Sequence, residues 1–276
     1  MTRLALALAL TLIVLSAPVF AQDRRPSHCI AVARSTPGMD YLHKASFRAP
    51  MPEFTVRIRY VSHASFLILG GGLSAVTDYA GFLGSADFIP DIVTMNHAHS
   101  THFTADPDPR IPHVLRGWGP FGEGVEHHLD LGTMLVRNVP TDIRLGETGR
   151  ERNGNSIFVF ESEGLCIAHL GHLHHEPTDE QYAAIGRMDV VMVPVDGGYT
   201  MAVDSMINVM RRVKASVILP MHWFTDMTLD RFLRGMEEEG FAIERPGTNE
   251  VEVSLRTLPE RPTVIALRPA WLRDDE

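Results

Sequence analysis

The stretch DIVTMNHAHSTHFT, residues 91–104, sets three imidazoles, His97, His99 and His102, within six positions directly after an apolar run. Such a run reads as a buried strand, so the histidines begin where a strand ends, the place where chemistry usually sits. Two further apolar runs end the same way: AHLGHLHH carries His169, His172, His174 and His175, and VILPMHW carries His222. Neutral imidazole is the commonest protein ligand for zinc and its neighbours, so three such strand ends brought to one edge make a metal centre. In extended chain His97 and His99 point the same way, because side chains repeat every second residue. His102 follows from the next turn of chain. Two imidazoles so close gain nothing from burial without a cation. His172 and His222 acquire the role as partners of that pair, and of His169, His174 and His175 at most one more is functional. The isolated His43, His63 and His113 read as surface or hydrogen-bonded residues, and His127 with His128 as a solvated pair, so none of these receives a metal role.

The elements that must position these residues are legible in the patterning. TVRIRYV alternates, with Val56, Ile58 and Tyr60 on one face; ASFLIL, a Gly70-Gly71-Gly72 turn and LSAVTDY follow as an antiparallel meander. Further strands are predicted at 92–95, 112–115 and 134–139, and at NSIFVFES and LCIAHLG around a Glu163-Gly164 turn. The second half alternates helix with strand. PTDEQYAAIGRM, with a capping box of Thr178 and Gln181, precedes DVVMVPV, and AVDSMINVMRRV precedes ASVILP. LDRFLRGMEEEG supplies a third helix before closing strands near Val251 and Val264. Clustered strands with interspersed helices predict an α/β protein of sheets covered by helices.

With 276 residues and ordinary apolar and charged fractions, one large core is expected. Residues 1–21 combine Arg3, an unbroken apolar stretch and small residues ending in Ala21, the pattern of a secretory signal peptide. Ser16 and Pro18 interrupt the stretch too early for a membrane anchor. Residues 22–53 form an extended arm, and 54–276 the domain. Cleavage removes one base and no acid, taking the formal charge from -9 to -10. An acidic chain is a poor nucleic-acid binder. The expected location is secreted or periplasmic, with no membrane attachment after cleavage. The two cysteines, Cys29 and Cys166, leave a bridge and a buried free thiol at Cys166 both open.

HASFLI, the aspartate of AVTDY, NHAHSTH, IAHLGH and PMHW occur in the order and spacing of the metallo-β-lactamase superfamily, and over most of residues 54–267 the chain resembles its lactonase-like hydrolase branch. The resemblance implies an αββα sandwich of two mixed sheets flanked by helices, with a metal site at one edge. It also implies hydrolysis of a lactone, amide, thioester or phosphoester by a metal-bound hydroxide. His97, His99, His102 and His222 carry over as ligands and Asp78 as a carboxylate supporting them. The chain departs from the family at Thr101, where the signature has an aspartate, and at His172, where the bridging aspartate stands. The histidine expected near RNVPTD is replaced by Pro140, Thr141 and Asp142.

Two divalent ions side by side need anionic ligands, and both customary carboxylates are missing. A single ion is expected, most simply zinc with Mn2+ or Fe2+ as alternatives, held by His97, His99, His172 and His222. Thr101 and His169 fall beside these ligands. Asp196, in VPVDGGYT, is the candidate for proton transfer, with capping of its own turn as the alternative; Tyr199, Tyr79 and Asp142 are weaker candidates. Trp118 and Phe121 lie on a glycine-rich loop able to cover a small-molecule substrate. The leading reading is a secreted metal-dependent hydrolase of a small ester-, lactone- or phosphoester-like molecule. Its rivals are a non-catalytic metal- or ligand-binding member of the same fold and, more weakly, a β-lactamase. Oligomeric state is left open.

Overall fold

The computed structural model describes residues 24–31, 47–146 and 149–274. The signal segment 1–21 and His43 lie outside the described residues. A single helical turn, α1 (His28–Ala31), precedes the meander β1 (Val56–Ser62), β2 (Ser65–Gly70) and β3 (Leu73–Val76), which is antiparallel as its alternation requires. Gly71 and Gly72 both take positive φ in the two-residue turn joining β2 to β3, the backbone that such hairpins demand. β4 (Ile92–Met95) and β5 (His113–Arg116) then add in parallel beside β3. Next come β6 (His128–Asp130), β7 (Met134–Leu145), β8 (Gly149–Ser162) and β9 (Leu165–His169), joined as antiparallel neighbours. Glu163 and Gly164 make the predicted β8–β9 turn, both with positive φ.

The alternating half follows as read. α2 (Asp179–Ile185) carries the capping box of Thr178 and Gln181, and leads to β10 (Val190–Pro194). α3 (Val203–Val213) leads to β11 (Val217–Met221), and α4 (Asp226–Glu238) to β12 (Ala242–Glu244), β13 (Glu250–Val253) and β14 (Thr263–Ile265). One sheet has the order β13-β1-β2-β3-β4-β5 and the other β12-β14-β11-β10-β9-β8-β7-β6. Val56, Ile58, Tyr60, Phe66 and Ile68 of the first meet Phe158, Phe160, Ile167, Met192 and Leu219 of the second in the central core.

The paired sheets are those of the expected sandwich, but the helices α2, α3 and α4 all pack on the second sheet, through Ile185, Met206, Met210, Phe232 and Met236. Among the described residues the outer face of the first sheet is covered by loops instead, with Phe47, Ile111 and Leu272 against Leu67, Val76 and Val93. That face also holds Arg57, buried and paired with Glu252 at 2.9 Å, and Arg59 near Glu250.

The arm is fastened rather than loose at its described start. Cys29 and Cys166 form a disulfide across 137 positions, so the free-thiol alternative falls. Both sulfurs are buried where α1 packs beside β9, and the backbone N–H of His28 donates to Glu161 at 3.1 Å.

Candidate metal centre

β3, β4, β9, β10 and β11 all deliver their carboxyl ends to one edge of the sandwich, the usual ligand side of parallel strands. Asp78 follows β3, residues 96–102 follow β4, His172 follows β9, Asp196 follows β10 and His222 follows β11. Four imidazoles meet there with their Nε2 atoms inward. His99 Nε2 lies 3.1 Å from His172 Nε2, and His222 Nε2 lies 3.1 Å from His102 Nε2. Nitrogens sharing one tetrahedral zinc at the usual bond length are about 3.3 Å apart, so the spacing within each pair suits a common ion.

Each of the four is also held by its other nitrogen. Thr101 Oγ1 lies 2.8 Å from His99 Nδ1, Asp78 Oδ2 lies 2.5 Å from His102 Nδ1, His174 Nε2 meets His172 Nδ1, and Asp196 Oδ1 lies 3.1 Å from His222 Nδ1. Fixing Nδ1 turns Nε2 into the ligand atom, the arrangement usual around metal-bound histidine. Asp78 is itself anchored by Asn96, whose Nδ2 donates to it at 2.8 Å, while Asn96 Oδ1 accepts from the Ser156 backbone at 2.7 Å. Asn96 went unremarked in the sequence, though its place between strand and histidines was the available signal.

Burial favours the neutral form of three of these rings and of their neighbours. It pushes His99, His102 and His172 below the ordinary imidazole value, with neighbouring imidazoles adding to the effect, and brings His63 down to about 3 and His174 to about 4. Asp78 is pushed up to about 6 by burial, against the pull of His169 and the Asn96 hydrogen bond. Neutral imidazole is the ligating form, so the donor set fits a divalent ion of borderline softness. His63, Asp78 and His222 all adopt left-handed backbone, with φ of 42°, 42° and 57°. Such backbone costs about 1–3 kcal/mol per residue and gathers at functional sites.

Several sequence expectations are corrected here. His97 does not join the cage: its Nδ1 lies 2.7 Å from Glu151 Oε1 and its ring stacks on Trp118 at 5.0 Å. Residues 97–101 form bends and a turn, so the every-second-residue rule of extended chain does not apply to them. His63, given no metal role, stands against the cage, its ring 4.0 Å from that of His222. Asp196 is committed on both oxygens: the backbone N–H groups of Gly198, Tyr199 and Thr200 and the Thr200 hydroxyl donate to it. Burial alone would raise its pKa, but the bonds from His222, Thr200 and Gly198 hold it well below the carboxylate range. It is a turn cap that also orients His222, and is not free to carry protons. His169, fully buried, lies 2.8 Å from the Ala64 carbonyl through Nε2 and accepts from Gly171 N–H; it braces the β9 end and does not face the cage nitrogens. Asp142 pairs with Arg150, and Phe121 is fully exposed. His127 lies 2.7 Å from the Arg116 carbonyl.

The chain matches the model of a β-lactamase superfamily domain over residues 57–222. A UPF0173 metal-dependent hydrolase of Methanospirillum hungatei is 25% identical over 205 residues, covering 68% of this chain and 90% of that protein. One from Thermoplasma acidophilum is 31% identical over 155 residues, covering 49% and 66%. Among solved structures, a Thermotoga maritima protein of the metallo-β-lactamase superfamily, proposed as a Zn-dependent hydrolase, superposes with a TM-score of 0.55 at 27% identity, covering 77% of this chain and 98% of that one.

Proposed function

This chain belongs to the metallo-β-lactamase superfamily, and from that premise we propose that it is a secreted metal-dependent hydrolase, a zinc enzyme acting on a small ester-, lactone- or phosphoester-like molecule with an apolar substituent. The observation that carries the reading is the cage of His99, His102, His172 and His222, each Nδ1 tethered and each Nε2 turned inward. An all-imidazole set suits zinc better than manganese. With one imidazole standing back to leave a position open, such an ion would polarise the scissile carbonyl or phosphoryl group and make a water nucleophile available near neutral pH.

The chain's own residues supply the remainder. Asp78, Thr101, His174 and Asp196 fix the ligand rings. His97, partly exposed and backed by Glu151, takes the proton-carrying role that the saturated Asp196 cannot fill. Tyr199 and Phe224, both exposed, meet edge to face at 5.3 Å beside the cage, with the Phe224 ring 5.4 Å from His222, and form a wall for an apolar substituent. The signal-like segment 1–21 supports secretion, and the Cys29–Cys166 bridge agrees with an oxidising compartment. The acidic charge argues against nucleic acid as a partner and leaves a small molecule as the substrate class.

The test is to quantify metals in the purified chain and screen it against lactone, arylester, phosphodiester and β-lactam panels, beside His97→Gln. Metal-dependent turnover by the parent, and a metal-replete but slow His97→Gln, are expected. A parent that holds zinc yet turns over nothing in any class refutes the hydrolase reading; undiminished His97→Gln removes the proton-carrying role.

A further inference from the structure

We propose that His63 is an additional ligand of the metal, an imidazole delivered by the β1–β2 hairpin that brings the first sheet's opening turn into the site. This rests on the metal-dependent reading above and extends it to a residue outside the ligand set that the motifs imply. Four observations carry it. One ring nitrogen of His63 lies within 4.8 Å of ring nitrogens of His99, His102 and His222, each within that distance of the others. His63 Nε2 is buried and has no hydrogen-bond partner. A buried polar atom left so is costly and calls for an unseen partner, and a cation supplies one.

The backbone is built to hold the ring there. His63 adopts left-handed φ, which few side chains tolerate, and its carbonyl accepts twice, from the Tyr60 hydroxyl at 2.6 Å and from the His222 backbone N–H at 2.9 Å. The second of these ties the backbone of His63 directly to that of a cage residue. Finally, the cage contains no carboxylate ligand, because Asp78 and Asp196 are both turned to Nδ1 atoms. Another neutral imidazole adds a donor where Thr101 supplies none.

The experiment uses the full chain with His63→Asn and His63→Gly, both of which accept left-handed backbone, and with His99→Ala as reference. Zinc affinity is measured by competition with a chromophoric chelator, and the visible spectrum is recorded after cobalt substitution. Circular dichroism and melting in chelator verify that each variant is folded. The expected result is weakening of zinc binding by about tenfold or more in both His63 variants, with an altered cobalt spectrum. Folded variants with the parent's affinity and spectrum overturn the assignment while His99→Ala, losing its metal, leaves the metal-dependent reading standing. A parent that binds neither zinc nor cobalt overturns both.

Discussion

Opening the Cys29–Cys166 bridge is the perturbation whose size can be worked most directly. The bridge closes a loop spanning 137 positions, from the arm to β9. Chain statistics give a loss of denatured-state entropy of about 17 cal/mol/K for a loop of that length, or about 5 kcal/mol at room temperature. That is a third or more of the whole stability of a typical domain, about 5–15 kcal/mol. Both sulfurs are buried, so Cys29→Ala with Cys166→Ala adds a small packing loss to the entropic one. The assay is urea unfolding of oxidised, reduced and doubly substituted chains in the same buffer with metal chelated. The reduced chain should lose several kcal/mol and unfold with a steeper urea dependence, because its denatured state is more expanded. The metal centre lies at the far end of β9 from Cys166, so zinc content of the folded reduced chain should be unchanged. A loss under about 1 kcal/mol contradicts the loop argument, and would mean that the ends stay together in the denatured chain.

Three further outcomes follow from the geometry. Burial depresses the imidazoles of His63, His99, His102 and His172 from 6.5, so with metal removed stability should be level above about pH 6.5 and fall below it. The unfolded chain takes up protons there that the folded chain refuses, each such ring adding a slope of up to about 1.4 kcal/mol per pH unit until its folded value is reached. Asp78, raised to about 6, acts in the opposite sense, costing stability as pH climbs from its unfolded value through that point; denaturant melts at several pH values find the sum, and a flat profile in the acid range refutes it. Asp196→Asn keeps a turn acceptor but removes the charge behind His222, and zinc affinity should fall about 10–100-fold by chelator competition. Phe224→Ala and Tyr199→Ala should raise KM for substrates with bulky apolar groups and leave metal content alone; an unchanged KM dismisses the aromatic wall.

The residues show where sequence reading succeeds and where it stops. Strands β1 to β3, the Glu163-Gly164 turn, the capped α2 and the histidine-bearing ends of β4, β9 and β11 are all set by local pattern, and local pattern is what periodicity reads. His97 is carried away from the cage because the chain bends immediately after Asn96, which strand parity cannot foresee. His63 reads as any turn residue, since its proximity to His222 arises from the β1–β2 hairpin and the loop after β11, more than 150 residues apart in sequence, meeting through a backbone hydrogen bond. The Cys29–Cys166 pairing is likewise a tertiary fact, whereas the saturation of Asp196 is the local turn cap offered by VPVDGGYT, with only its bond to His222 coming from afar. Among the described residues the cover on the first sheet is Phe47, Ile111 and Leu272, loop residues whose apolar character has no period to mark it.

The cage draws on both sheets: His99 and His102 follow a strand of the first, and His172 and His222 follow strands of the second. During synthesis the ligands therefore emerge in sequence, and the one that closes the set comes last, after the long β7–β8 hairpin and α3. The full ligand set therefore exists only once His222 has emerged and the second sheet has joined the first, so metal capture depends on completed packing of both sheets and not on any one strand end.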